Sequence, residues 1–150
     1  MSEVTYQIED LNSVLFELIP MIKEHWEETD KGYTKAELNP DWAVYNDVER
    51  KNVLRLFTAR YDKKLVGYLS VFVQPGIHSK DFVYAVTDSI FLDKDFRRGR
   101  TAADLIKFAE THLEDEADAF SLSMKAYMPF DKLADSLGYT MTEKVFTKEF

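Results

Sequence analysis

Apolar residues recur along this chain with two different periods, and the switches between them mark out its elements. Residues 3–8 (EVTYQI) alternate apolar with polar and predict a short edge strand. From Leu11, apolar side chains at Val14, Leu15, Leu18, Ile19, Ile22 and Trp26 return at helical spacing. They predict an amphipathic helix over 11–28, capped by Asp10 or Asn12 and kinked or broken at Pro20. The run DKGYTKAEL is turn-rich, and Asn39-Pro40 opens a second helix over 41–51 that turns Trp42 and Tyr45 inward or into a cleft.

Period two then takes over. VLRLFTARY and LVGYLSVFV flank the polar turn DKK and predict a hairpin, in which Gly67 marks a bulge or a close backbone approach. After the loop QPGIHSK, the run DFVYAVTDSIFL is apolar on both parities and reads as the central strand, interrupted by Asp88. Beyond the basic turn at 97–100, Ala102, Leu105, Ile106, Ala109, His112 and Leu113 trace one helical face. FSLSM reads as a further strand and MPFDKLADSL as a short helix closed by Gly138. YTMTEKVFTKEF reads as a terminal strand pair or one bent strand. The order β-α-α-β-β-β-α-β-α-β predicts an α+β fold, a mixed and mainly antiparallel sheet flanked by helices.

The 150 residues suit one domain spanning 1–150. The chain has no cysteine, which removes thiolate chemistry and disulfides, and its three scattered histidines argue against a zinc site. No apolar run reaches transmembrane length and the start does not resemble a secretion signal, so a cytoplasmic protein without a membrane partner is expected. The net charge of −8 is unevenly spread: residues 1–50 carry 12 Asp and Glu against 4 Lys and Arg, and the rest carries 15 of each. Such a region repels a nucleic-acid backbone and attracts a cationic amine, or it is simply a solvated acidic surface.

The stretch 88–113 concentrates the chemistry. An apolar strand runs into Arg97-Arg98-Gly99-Arg100, and a helix starts at once. Free backbone amides at a helix N-terminus, the positive end of its dipole and flanking guanidinium groups suit a phosphate. Leu92, the acidic linker Asp93-Lys94-Asp95, Phe96, then Arg97-Arg98-Gly99-Arg100-Thr101-Ala102 resemble the R-x-x-G-x-G/A signature of the GNAT superfamily of N-acetyltransferases, with Arg100 where the first glycine is usual and Gly99 one position early. The Arg-Arg-Gly-Arg form points to a bacteriophage-type branch, and Leu137-Gly138-Tyr139 resembles the family's closing LGF.

The resemblance implies acetyl-CoA as cofactor. The turn Arg97, Arg98, Gly99, Arg100, Thr101 and Ala102 would hold its pyrophosphate, and Ile90, Phe91 and Leu92 would pair with its pantetheine arm like an added strand. Acetyl transfer needs an uncharged amine, and Asp88, on the parity of Ile90 and Leu92 and desolvated in an apolar strand, is the candidate base. The family's usual acid, a tyrosine, falls on Ala134, which leaves Tyr127 and Tyr139 as candidates. Trp26 and Glu27, with Trp42 in the Asn39-Pro40-Asp41-Trp42 corner, form the expected acceptor surface, and His78 is a loop proton carrier or substrate contact. Exposed strand edges make a homodimer plausible. The missing tyrosine also motivates a different reading, a catalytically weak binding protein that docks a host protein through its acidic face.

Overall fold

A computed structural model describes residues 3–150. Its elements are β1 (Val4–Ile8), α1 (Leu11–Thr29), α2 (Trp42–Arg50), β2 (Leu54–Tyr61), β3 (Lys64–Pro75), β4 (Val83–Leu92), α3 (Thr101–Leu113), β5 (Ala119–Ser121) and α4 (Asp131–Ser136), with one 3₁₀ turn at Lys94–Phe96. The strands form one sheet in the order β1-β2-β3-β4-β5, antiparallel except for the parallel pair β4 and β5. The α+β class expected from the pattern is the class observed.

Alternation decides which side chains meet which helix. Phe57, Leu69, Val71 and Ala85 project from one sheet face onto Leu105, Ala109 and Leu113 of α3. Leu56, Tyr68 and Phe91 project from the other onto Leu11, Val14 and Leu18 of α1. The β2 to β3 hairpin closes through Asp62 and Lys63, both left-handed at φ 49° and 67°, the backbone a two-residue turn needs to match strand twist.

Polar contacts then lock α1 across the sheet. Glu17 accepts from Leu65 N at 3.0 Å and from Arg60 Nη1 at 3.1 Å, while Glu9 accepts from Arg60 Nε at 2.8 Å. Arg60 is buried, so this cluster is fully partnered as burial demands. At the start of α1, Leu11 N donates to Glu49 of α2 at 2.7 Å.

Five details differ from the pattern-based reading. The helix α1 runs through Pro20 without a break, because the bond its ring forfeits would go to the carbonyl of Phe16, on the exposed side where water serves. The second helix starts at Trp42 with Asp41 as its cap, accepting from Val44 N at 3.1 Å. The central strand is β3, buried along nearly all its length, whereas β4 exposes Tyr84, Val86 and Asp88. The strand β5 covers only three residues, so it offers no template for a neighbour. The closing strand expected over 139–150 is absent from the described residues, leaving Val145, Phe146 and Phe150 exposed. Gly138 does close α4, at φ 88°, with Tyr139 N bonded to Ala134 O at 3.0 Å and Gly138 N to Asp135 O at 3.1 Å.

Candidate active site

A bulge in β4 places Asp88. Ser70 of β3 pairs with Ser89 and the next residue, Val71, pairs with Thr87, so Asp88 is an extra residue without a partner in the ladder. A bulge re-aims a side chain. Asp88 therefore does not share a face with Ile90, which packs toward α3; it turns to the α1 and α2 side and is exposed there. The parity and the desolvation expected for it are both corrected by this one inserted residue.

Two elements hold the carboxylate in place. Tyr45 of α2 donates its hydroxyl to Asp88 Oδ2 at 2.8 Å, and Ser70 of β3 donates to the same oxygen at 2.9 Å. Ser70 Oγ lies 2.9 Å from Ser89 Oγ and accepts from Ser89 N at 3.1 Å. Deeper in, the Tyr68 hydroxyl is 2.6 Å from His25 Nδ1, and His25 stacks on Phe91 with ring centroids 4.9 Å apart. Burial, then the Asp88 charge, pushes both the Tyr45 and Tyr68 phenols well above the ordinary tyrosine value, so both stay protonated donors. Burial pushes His25 below its ordinary value, which leaves it neutral near pH 7. Trp42, Tyr45, Tyr68, Ser70, Asp88 and Ser89 line a cleft of about 30 Å³, room for roughly one water.

Beside this cleft the sheet opens. The strands β4 and β5 pair only from Tyr84 with Ala119 to Val86 with Ser121, and the last tie is Thr87 Oγ1 to Ser121 O at 2.7 Å. From Asp88 to Leu92 that edge of β4 faces no strand among the described residues. The open edge leads to the turn 97–100, where Gly99 at φ 89° has nothing within 4 Å of the position a Cβ would take. No backbone or side-chain acceptor among the described residues takes the N–H groups of residues 98–103, and Arg100 caps α3 without a side-chain bond. An unpaired strand edge that ends at unclaimed amides at the positive end of a helix matches an extended amide-bearing arm carrying a pyrophosphate.

The remaining candidates scatter. The Arg97 guanidinium does not point into the turn: its Nε donates to Leu92 O at 2.8 Å and its Nη2 to Glu28 at 2.8 Å. Arg98 and Arg100 are exposed, while Thr101 and Ala102 begin α3. Tyr127 donates its hydroxyl to the Thr29 carbonyl and stacks on Tyr33 at 3.8 Å, so its proton is committed away from Asp88. Tyr139 packs edge-on to Phe120 and faces Glu110 of α3, on the opposite side of the sheet from Asp88. His78 is exposed in the loop between β3 and β4, at the other end of β4 from the turn. Trp26 and Glu27 line an open hollow of about 510 Å³ with Lys31, Thr34 and Lys35, separate from the cleft that Trp42 lines. Sequence reasoning missed Ser70, Ser89, Tyr68 and His25 and left Tyr45 without a role. Serines interrupting two adjacent apolar strands were the available signal.

Residues 17–129 match the model of the acetyltransferase (GNAT) family. The chain belongs to that family. Its fold is shared with a ribosomal-protein-alanine N-acetyltransferase from Brucella melitensis biovar Abortus 2308, at 18% identity over 99% of each chain and a TM-score of 0.72. It is also shared with an aminoglycoside acetyltransferase from an uncultured soil metagenomic sample, solved with sisomicin, at 18% identity over 98% of this chain and 95% of that one, TM-score 0.75. A predicted acetyltransferase from Clostridium acetobutylicum, solved with acetyl-CoA, aligns over 98% of this chain and 96% of its own at 12% identity, TM-score 0.71. At these identities the likeness is one of fold. No curated protein matches the chain. No helix among the described residues is long and apolar enough to cross a membrane.

Proposed function

We propose that this chain transfers the acetyl group of acetyl-CoA to a primary amine, with Asp88 as the base. Acetyl-CoA is the family's cosubstrate and supplies the activated acyl carbon. The N–H groups of residues 98–103 would bind its pyrophosphate, and the free edge of β4 over Ile90, Phe91 and Leu92 would hydrogen-bond its arm. Asp88 Oδ2 is occupied by Tyr45 and Ser70, which leaves Oδ1 to accept the proton the amine gives up as its nitrogen bonds to the acyl carbon. The carbon–sulfur bond breaks and the thiolate leaves without a tyrosine acid, since Tyr127 is committed to Thr29 and Tyr139 lies across the sheet.

The observation that carries this reading is the bulge. It sets an oriented carboxylate at the head of the same open edge that ends at the unclaimed amides. For the acceptor, the acidic first third and the cleft in which Trp42 and Tyr45 stand beside Asp88 favour a small cationic amine or a protein amine. The bacteriophage-type branch rests on the Arg97 to Arg100 turn alone, and family membership does not favour a docking protein without activity.

Release of free CoA from acetyl-CoA, followed across a panel of polyamines, aminoglycosides and peptides, tests the reading. Asp88→Asn is expected to lower kcat by about a hundredfold or more while the Kd for CoA stays unchanged. Full turnover in Asp88→Asn removes the base, and absence of CoA binding in the unaltered chain removes the whole assignment.

A further inference from the structure

The opening between β4 and β5 has two lips, and the last turn of α1 holds both. On the β4 lip, Arg97 forms a two-point pair with Glu28 while also bonding Leu92 O, and its guanidinium carbon sits 5.2 Å from the centre of the Phe91 ring. On the β5 lip, the loop over 122–130 comes back to the same turn. Lys125 Nζ lies 2.7 Å from Asp30 Oδ1, and Tyr127 donates to the Thr29 carbonyl. The Thr29 hydroxyl is 2.7 Å from Asp30 Oδ2 and steadies the carboxylate that Lys125 meets. Glu28, Thr29 and Asp30 are consecutive, so one turn of chain ties together two segments that do not pair with each other beyond Val86 and Ser121, β4 keeping its ladder with β3 and 122–130 having none among the described residues.

We infer that Glu28, Thr29 and Asp30 are positioning residues that fix the spacing of the two lips and so set the affinity for the acyl-CoA arm laid between them. This rests on the acyl-CoA reading above. Residues outside a ladder, as 122–130 are, fluctuate, and a ligand that must order them loses affinity in doing so. The clasp orders them beforehand without touching the ligand. Side-chain exposures of 17% for Glu28, 21% for Asp30, 35% for Arg97 and 49% for Lys125 put the pairs in partly screened surroundings. Each tie is therefore modest alone, and the effect comes from holding both sides through one rigid element.

Calorimetric titration with CoA tests this on the unaltered chain, Asp30→Lys, Lys125→Asp and the combined reversal, with thermal unfolding recorded for each. The single variants are expected to raise the Kd for CoA roughly three- to tenfold, and the reversal to bring it back, because a swapped pair restores the tie. A Kd that does not move in the single variants overturns the inference, and so does a Kd that stays raised in a folded reversal, which would mean direct contact with the ligand. Amide exchange gives a second reading independent of binding: residues 122–130 are expected to exchange faster in Asp30→Asn than in the unaltered chain, and equal rates overturn the clasp. If the unaltered chain does not bind CoA, the acyl-CoA reading fails, and the exchange result still decides whether the lips are tied.

Discussion

Asp88 owes its place to its neighbours more than to its own chemistry. Tyr45 and Ser70 reach the same oxygen from a helix and a strand, and each gives a hydrogen bond to a charge. Tyr45→Phe and Ser70→Ala are each expected to lower kcat about tenfold, with the Kd for CoA unchanged, as loss of one charge-assisted bond implies. Steady-state kinetics beside CoA titration checks both. His25 makes a separate statement about pH. Burial holds its folded pKa below the ordinary 6.5, so the folded chain binds fewer protons than the unfolded one at this residue. Stability is then whole above about pH 6.5 and falls as the pH drops through the folded value. Melting temperatures from pH 8 to 5 are expected to decline at the acid end, and the decline to shrink in His25→Phe, which keeps the ring stack on Phe91. None of these partners was legible from spacing, because Tyr45, Ser70 and His25 come together only through tertiary packing.

At the scale of elements, the hydrophobic pattern carried most of the fold and misled at Asp88 and over the closing strand expected at 139–150. Strict alternation through VYAVTDSIFL sets Asp88 beside Ile90 and Leu92, but the bulge opposite Ser70 and Val71 shifts the phase by one. The run T-D-S holds no glycine or proline to announce it, which is why counting could not find it. Gly67 was legible. It stands next to the second bulge, at Ala59 and Arg60, and a Cβ there would come within 2.5 Å of Leu92 Cδ1 and 3.0 Å of the Phe91 carbonyl. Gly67→Ala is expected to cost about 1–3 kcal/mol through overpacking against the end of β4, read as a lower denaturant midpoint. The turn at 97–100 was also legible as a glycine turn that opens a helix. The exception is Arg97, since its charge alone gave no sign that Glu28, far away in the sequence, would claim it.

Across the whole molecule, acidic charge and aromatic side chains gather on the helices that cover one face of the sheet, and the unclaimed amides sit at one end of it. The C-terminal segment stays outside the core: Glu149 meets Thr34 Oγ1 at 3.1 Å and Lys35 N at 2.9 Å, while Phe146 and Phe150 remain exposed. A chain ending at residue 140 is expected to melt within a few degrees of the full chain and to self-associate less, as sedimentation velocity would show. The pattern TMTEKVFTKEF alternates well enough to be a strand, yet a strand needs an edge to join, and β5 offers three residues.

The length of α1 is constrained from both ends. Glu17 fixes it to Arg60 and Leu65, and Glu28 fixes it to Arg97. The helix between them spans about 16 Å at 1.5 Å per residue. One residue added within that span would swing everything beyond it by about 100°, turning Glu28 away from Arg97 and Asp30 away from Lys125. The loop over 31–41 is held at points, by Tyr33 on Tyr127 and Asp41 on Val44 N, but α1 is a ruler: its residue count is part of the site.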